Sequence, residues 1–404
     1  MHMKQNEQIE KHIAVLDGIR AIAVVMVVWF HFWQQTWLTP YINFDNSFTR
    51  YLGITELPLH TYIRYGGIFV DVLILISAVC NLYPYARAIL LQEKWPDTKQ
   101  FYLKRAIRIL PSYYLCIAIM LIFAFAEHKY TDTTFMWKDI LMHLSFTAVL
   151  DKNIYLHTAL NGVLWTVQVE VIYYILIPWI AKAFRHFPLP TCLILWGTGF
   201  VSCNYILYQK ADQVSSYLNH FLTFAGFYAN GMLICMFYLT LKKQMAENKY
   251  LHLFSAIIAL GCVAAFTQIV TGYYDYDTST IQLSTRYELM LIYSVFMLCI
   301  MFSCKAIQFL FANRLLKFIA TISYNLYIWH QMVAVKLKAY HIPYWEGDTP
   351  PNMLYDSVWQ WKYQILIIIL SLIIAIVLTY GFEIPVAGFL KRRLHIDKAN
   401  LDMK

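Results

Sequence analysis

Residues 14–34 read AVLDGIRAIAVVMVVWFHFWQ, and ten consecutive apolar residues, Ala21 to Phe30, separate Arg20 from His31. A helix needs roughly 20 predominantly apolar residues to cross a bilayer. This stretch meets that length and still carries Asp17, Arg20 and His31, so it is a span with charge at its ends. The polar run Met1 to His12 precedes it without a small-residue cleavage site, which predicts a retained first helix rather than a removed leader. Similar apolar runs predict spans at 14–34, 65–84, 109–127, 165–182, 189–208, 218–240, 251–271, 286–304, 315–334 and 363–386. The stretch Asp139 to Leu150 is apolar but about 12 residues long, too short to cross, and is expected to be re-entrant or interfacial.

The composition agrees with a membrane protein. Of the 404 residues, 59% are hydrophobic and 14% are charged, against roughly 25% charged in soluble domains. The 31 Tyr and 12 Trp suit rings that anchor spans at the headgroups. A net charge of +8 would also fit nucleic acid, but the basic residues are spread between apolar runs rather than gathered in one block. They obey the positive-inside rule: with the N-terminus inside, 22 of the 32 basic residues fall on the cytoplasmic side. The outer loop Tyr273 to Asp277 is acidic. The expected fold is therefore all-α, a polytopic bundle of about ten transmembrane helices with both termini cytoplasmic. Residues 1–13 form a cytoplasmic segment, 14–390 the membrane domain, and 391–404 a basic tail. The eight cysteines fall singly inside apolar stretches without a metal-binding spacing, so buried free thiols and no metal are expected.

Titratable residues within spans are costly, by at least ~2.5 kcal/mol at the centre, and mark candidate sites. At 1.5 Å per residue, His31 lies about 16 Å beyond Arg20 along the helix. Asp71 in GGIFVDVLILIS, Glu170 in LWTVQVEVIYY and His330 in ISYNLYIWH are then expected in the same outer half as His31. A neutral histidine can take a proton from a hydroxyl near pH 7, and a carboxylate can orient it. Glu170 or Asp71 could fill that second part. The bland alternative makes each a buried polar group bonded to a neighbouring helix. Lys104, Arg105 and Arg108 cluster before the third span. Arg105 and Arg108 are three apart and share a helix face. Paired guanidinium groups grip phosphates well, although the same residues would anchor the span to lipid headgroups.

LDGIRAIAVVMVVWFH, GGIFVDVLILISA, KRAIRILPSYYL, LWTVQVEVIYYILIP and ISYNLYIWHQMV, in this order, resemble the signatures of acyltransferase family 3, a group of membrane-bound acyltransferases. The matches run from Leu16 to about Pro385. The second stretch departs from the family with Ala78 after Ser77 where glycine is common, and the fourth has Val171 and Ile172 where polar residues are frequent. The resemblance implies transfer of an acyl group, usually acetyl, from cytoplasmic acyl-CoA to a hydroxyl outside, mostly of a surface polysaccharide or other glycan. It implies His31 as the catalytic residue and Arg20, Arg105 and Arg108 on the donor side. Such an enzyme would sit in the plasma membrane as the membrane module alone, without an appended esterase-like domain, with lipid, acyl-CoA and a glycan as partners and no nucleic acid. A proton-coupled transporter is the rival reading, since intramembrane His, Asp and Glu also build proton relays. No inverted repeat or matched pair of broken spans supports it. An inactive scaffold relative is the third.

Overall fold

Asp and Asn residues begin many of the helices, because a short side-chain oxygen can accept from the first free backbone N–H groups. A computed structural model describes residues 13–38, 42–43, 56–57, 59–246, 248–273 and 277–394. Residues 1–12, Tyr41, the middle of the acidic loop at 274–276 and the tail beyond 394 lie outside the described residues.

In chain order the helices are α1 (Ala14–Thr36), α2 (Leu59–Arg64), α3 (Phe69–Leu90), α4 (Thr98–Ala126), α5 (Thr133–Leu144), α6 (Lys152–His157) and α7 (Trp165–His186). They continue as α8 (Pro188–Gln209), α9 (Val214–Tyr217), α10 (Ala225–Ala246), α11 (Lys249–Gly272), α12 (Thr278–Ser284) and α13 (Arg286–Phe302). The last four are α14 (Lys305–Phe311), α15 (Arg314–Ala339), α16 (Ser357–Leu378) and α17 (Ile384–Arg393), with a π-helical turn at Thr379–Glu383 between the last two. A two-residue antiparallel bridge joins Ile42–Asn43 to Glu56–Leu57. Caps show the local logic: Asp97 accepts from Gln100 N at 2.7 Å at the start of α4, and Asn313 from Leu316 N at 2.9 Å at the start of α15.

Among the described residues nine helical segments are long and apolar enough to cross a membrane, and the pair α12–α13, bent by 65°, makes a tenth. Each of the ten expected spans falls on one of them. The chain is a polytopic all-α membrane bundle. Helix α5 has 12 residues, about 18 Å at 1.5 Å each, and does not reach across a hydrocarbon core of about 30 Å. It is held from beneath by Tyr113 and Tyr114 of α4, whose hydroxyls donate to His143 O and Leu144 O at 2.9 and 3.1 Å.

Helices α3 and α10 pack closely, as do α1 and α15, and α3 also lies against α1. Small residues permit this. A Cβ at Gly231 of α10 would stand 2.6 Å from Ala78 Cβ of α3, and one at Gly18 of α1 would stand 1.8 Å from the Phe311 carbonyl oxygen of α14. Helices α1, α3 and α15 therefore sit together at the centre, and they carry Arg20, His31, Asp71 and His330. The start of α4 and the end of α17 also lie together, since Lys104 is within electrostatic reach of Lys391.

Candidate functional site

His31 lies on α1 and His330 on α15, and the packing of these helices brings the two rings together with centroids 4.9 Å apart. His330 Nδ1 lies 2.6 Å from Tyr327 O and 3.2 Å from Leu326 O. Carbonyl oxygens only accept, so this nitrogen carries a proton. A neutral His330 then presents a bare Nε2, which sits 2.9 Å from His31 Nδ1. His31 Nδ1 must donate to it. The same nitrogen faces Val27 O at 3.0 Å, which again requires a proton there. Both neighbours thus assign the His31 lone pair to Nε2, and among the described residues no protein group bonds to that atom. A neutral imidazole with its base nitrogen free is ready to accept a proton.

The carboxylates expected beside His31 are elsewhere. Asp71 forms an ion pair with Arg286 of α13, Oδ2 to Nε 3.1 Å, and both side chains are fully buried. Arg286 Nη1 also donates to Leu218 O and Thr223 Oγ1, each at 2.7 Å, and its guanidinium lies 4.3 Å over the Phe224 ring. Asp71 is therefore consumed in a knot joining α3, α13 and the segment before α10. Glu170 of α7 accepts from Ser77 Oγ of α3. Ser77 is less than one turn from Cys80, whose Sγ accepts from Arg20 Nη2 at 3.5 Å. Glu170 thus belongs near the arginine layer rather than beside His31. The helical span carrying it begins at Gly162, three residues before the expected edge, so Glu170 lies correspondingly deeper. The expected single layer of four titratable groups is replaced by a histidine pair, a buried ion pair and a glutamate one level down.

The basic residues do converge. The Arg105 guanidinium is 5.6 Å from the rings of both Phe101 and Tyr174, and its Nε is buried with no hydrogen-bond partner. Arg105 and Arg108 are within electrostatic reach of Glu170 and of Cys80, the thiol that Arg20 touches. Arg20 has Asp17 at 3.9 Å. Lys104 stands at the rim of this group, close to Arg105 and Lys391. A surface groove lined by Thr98, Lys99, Tyr102, Leu103 and Ala106 lies on a face of α4 that points away from Arg108 and is separate from this cluster.

Helix α15 links the two levels. Tyr324, Tyr327 and His330 recur every three residues and share a face, and Tyr324 and Tyr327 both lie within electrostatic reach of Glu170. Asn325 on the same helix donates from Nδ2 to Glu383 Oε2 at 2.7 Å and to Thr379 Oγ1 at 3.0 Å. Glu383, the last residue of the π-helical turn, is within electrostatic reach of Arg108. Sequence reasoning missed Arg286 because it stands at the first residue of its span, where a cation reads as an edge. It missed Glu383 because a residue near the end of a span has the same ambiguity. Among the described residues no group of three or more His, Cys, Asp and Glu side chains is placed to hold a metal ion.

Fold and site together define a multi-pass membrane protein with a histidine pair and a basic cluster joined by a seam of tyrosines. The model of acyltransferase family 3, described as an acyltransferase domain, matches residues 13–380. That is nearly the whole chain, and the protein belongs to this family of membrane acyltransferases. Neither a curated protein nor a solved structure gives a match.

Proposed function

We propose that the protein takes an acyl group, acetyl in the first instance, from cytoplasmic acyl-CoA and transfers it to a hydroxyl of an extracytoplasmic glycan, as a multi-pass enzyme of the plasma membrane. The observation that carries the reading is the His31–His330 pair, which leaves His31 Nε2 as a free base. Ten crossings return the chain to the side on which it began. The excess of basic residues supports placing that side in the cytoplasm, where Arg20, Lys104, Arg105 and Arg108 meet the donor.

In this reading the donor phosphates rest on Arg20, Arg105 and Arg108, with Lys104 at the entrance. The free Nε of Arg105 supports an anionic ligand, because a buried donor without a partner costs about 1–3 kcal/mol. The pantetheine arm runs along the Tyr324–Tyr327 face towards His31, over the roughly 16 Å set by the rise of α1. His31 Nε2 takes the proton of the acceptor hydroxyl as its oxygen attacks the thioester carbon. The C–S bond breaks, the CoA thiolate leaves, and the imidazolium proton neutralises it. His330, rather than a carboxylate, holds the tautomer. Glu170 and Asp71 serve positioning: Glu170 balances the charge of Arg105 and Arg108, and Asp71 fixes α3.

Labelled acetyl-CoA supplied to inside-out vesicles tests the reading. Label is expected in hydroxyl-bearing material, bound as an alkali-labile ester. Movement of an unmodified solute without any label transfer would refute acyl transfer and favour a transporter.

A further inference from the structure

Two bulky aromatics stand in left-handed backbone beyond His31. Trp37 closes α1 with φ 58°, and Tyr355 closes the 3₁₀ turn Pro351–Leu354 with φ 56°. Glycine or asparagine is usual at such positions, because a Cβ is unfavourable there. Here both side chains are large and exposed, and their ring centroids lie 6.2 Å apart. Strained backbone of this kind gathers at ligand sites. The supports beneath the pair are fixed. Lys338 Nζ donates to Gln35 O at 3.0 Å at the end of α1. Trp345 stacks on His341 at 3.8 Å and meets Trp359 edge-on, which ties the connection before Tyr355 to α16.

Anchoring at lipid headgroups is the other use of exposed Trp and Tyr, but it belongs to the perimeter of a bundle. Helix α1 runs through the centre, packed on α3, α15 and α16, so its end opens over the bundle interior. Trp37 is six residues past His31, about 9 Å further along the axis. Its neighbour Thr36 is one turn past Phe32, whose ring centroid lies 6.1 Å from that of His330. Unmet polar capacity lies at the same end. Thr36 Oγ1 is 3.3 Å from Gln364 Oε1, while Gln364 Nε2 and both amide atoms of Asn352 are buried without a hydrogen-bond partner. Asn352 belongs to the turn that carries Tyr355, whose N–H donates to its carbonyl at 3.2 Å. A sugar suits this composition: its C–H face meets the electron-rich faces of the aromatics, and its hydroxyls pair with amides.

We propose that Trp37 and Tyr355 are a stacking platform for a pyranose ring of the acceptor, with the unpaired amides of the same rim taking its hydroxyls. Helix α1 then orders the whole reaction along one axis. The donor comes from the Arg20 end, the acceptor from the Trp37 end, and they meet at the histidine pair. Sugar binding at the platform is separable from transfer; only its role as the acceptor site rests on the acyl-transfer reading.

The test uses the full chain in lipid nanodiscs with fluorotryptophan in place of tryptophan. The Trp37 fluorine resonance is identified by its loss in Trp37→Phe. Maltohexaose and chitohexaose are the probes, and a lipid with a spin-labelled headgroup is the control. At least one saccharide is expected to shift the Trp37 resonance, and Tyr355→Ala to weaken that binding about fivefold, the scale of one stacked ring. Tyr355→Phe, which keeps the ring, should bind as the unaltered protein does. A Trp37 resonance that neither saccharide moves overturns the platform, and broadening by the spin-labelled lipid then makes the ring a headgroup anchor. Labelled acetyl-CoA in inside-out vesicles separates the platform from the transfer reading. Sugar binding at Trp37 without any label transfer keeps the platform and refutes acyl transfer. Label transfer at the unaltered rate in Trp37→Ala leaves acyl transfer standing and overturns the acceptor site.

Discussion

At the scale of single residues, the reactivity of His31 depends on where one proton resides. His330 takes that decision, because two backbone carbonyls fix its own proton on Nδ1 and so leave Nε2 to accept from His31. Removing this acceptor frees the His31 ring to turn and to exchange tautomers. His330→Ala is expected to lower kcat by about 10²-fold, the usual scale for a mispositioned general base, while the KM for acyl-CoA changes little. Partial recovery in His330→Gln, whose amide oxygen can accept, would separate this positioning role from simple packing. Arg108→Ala should do the reverse, raising the KM for the donor by about tenfold through loss of a charge-assisted contact. Steady-state kinetics on membranes of equal protein content distinguishes the two. The candidate residues were legible because ionisable groups are rare within apolar runs. Their partners were not: depth along a helix can be counted from sequence, but its rotation cannot, and rotation decides that Asp71 meets Arg286 while His31 meets His330.

At the scale of elements, the costliest polar contact is the Asp71–Arg286 knot between α3 and α13. Taking away one member strands the other as a buried charge, at about 3–5 kcal/mol. Asp71→Ala should therefore yield little folded protein, and Asp71→Leu with Arg286→Met should cost less than the two single changes summed, read from thermal unfolding in detergent. Gly18→Ala would drive a methyl group into the Phe311 carbonyl and should destabilise the α1–α14 contact by about 1–3 kcal/mol. Helix α5, which does not cross, has its own polar anchor. Burial alone would push the Asp139 carboxyl up, but the bonds from His143, Thr158 and Tyr130 outweigh it and hold the group below its usual range. A depressed folded value means stability present above the unfolded value of about 3.9 and lost as pH falls through the folded one. The stability gap between the unaltered protein and Asp139→Asn should accordingly be constant above about pH 5 and close in stronger acid, as followed by limited proteolysis of the segment 127–164. Sequence length alone excluded α5 as a span. The deeper start of the α7 span was not readable, because the 3₁₀ turn Gly162–Leu164 extends the helix through residues that look like a loop.

At the scale of the whole molecule, apolar length located all ten membrane segments, since the bilayer imposes one dominant constraint on every span. The bend of 65° between α12 and α13 was invisible to that count, because a short polar-capped helix before a span has no hydropathy signal of its own. The stacking of levels gives the bundle its proposed direction: basic cluster at one depth, histidine pair about 16 Å further along α1, tyrosines of α15 between. If this direction is that of acyl transfer, reagents that modify lysines from the cytoplasmic face should label Lys391 and Lys99, and acetyl-CoA should be effective from that face alone. The central claim is that His31 is the base that delivers the acyl group. It is tested most directly by measuring acyl transfer from labelled acetyl-CoA in inside-out vesicles holding equal amounts of the unaltered protein or His31→Ala. Loss of transfer to background in His31→Ala, with the protein still inserted and still binding CoA, is the predicted result. Transfer at the unaltered rate would contradict the account.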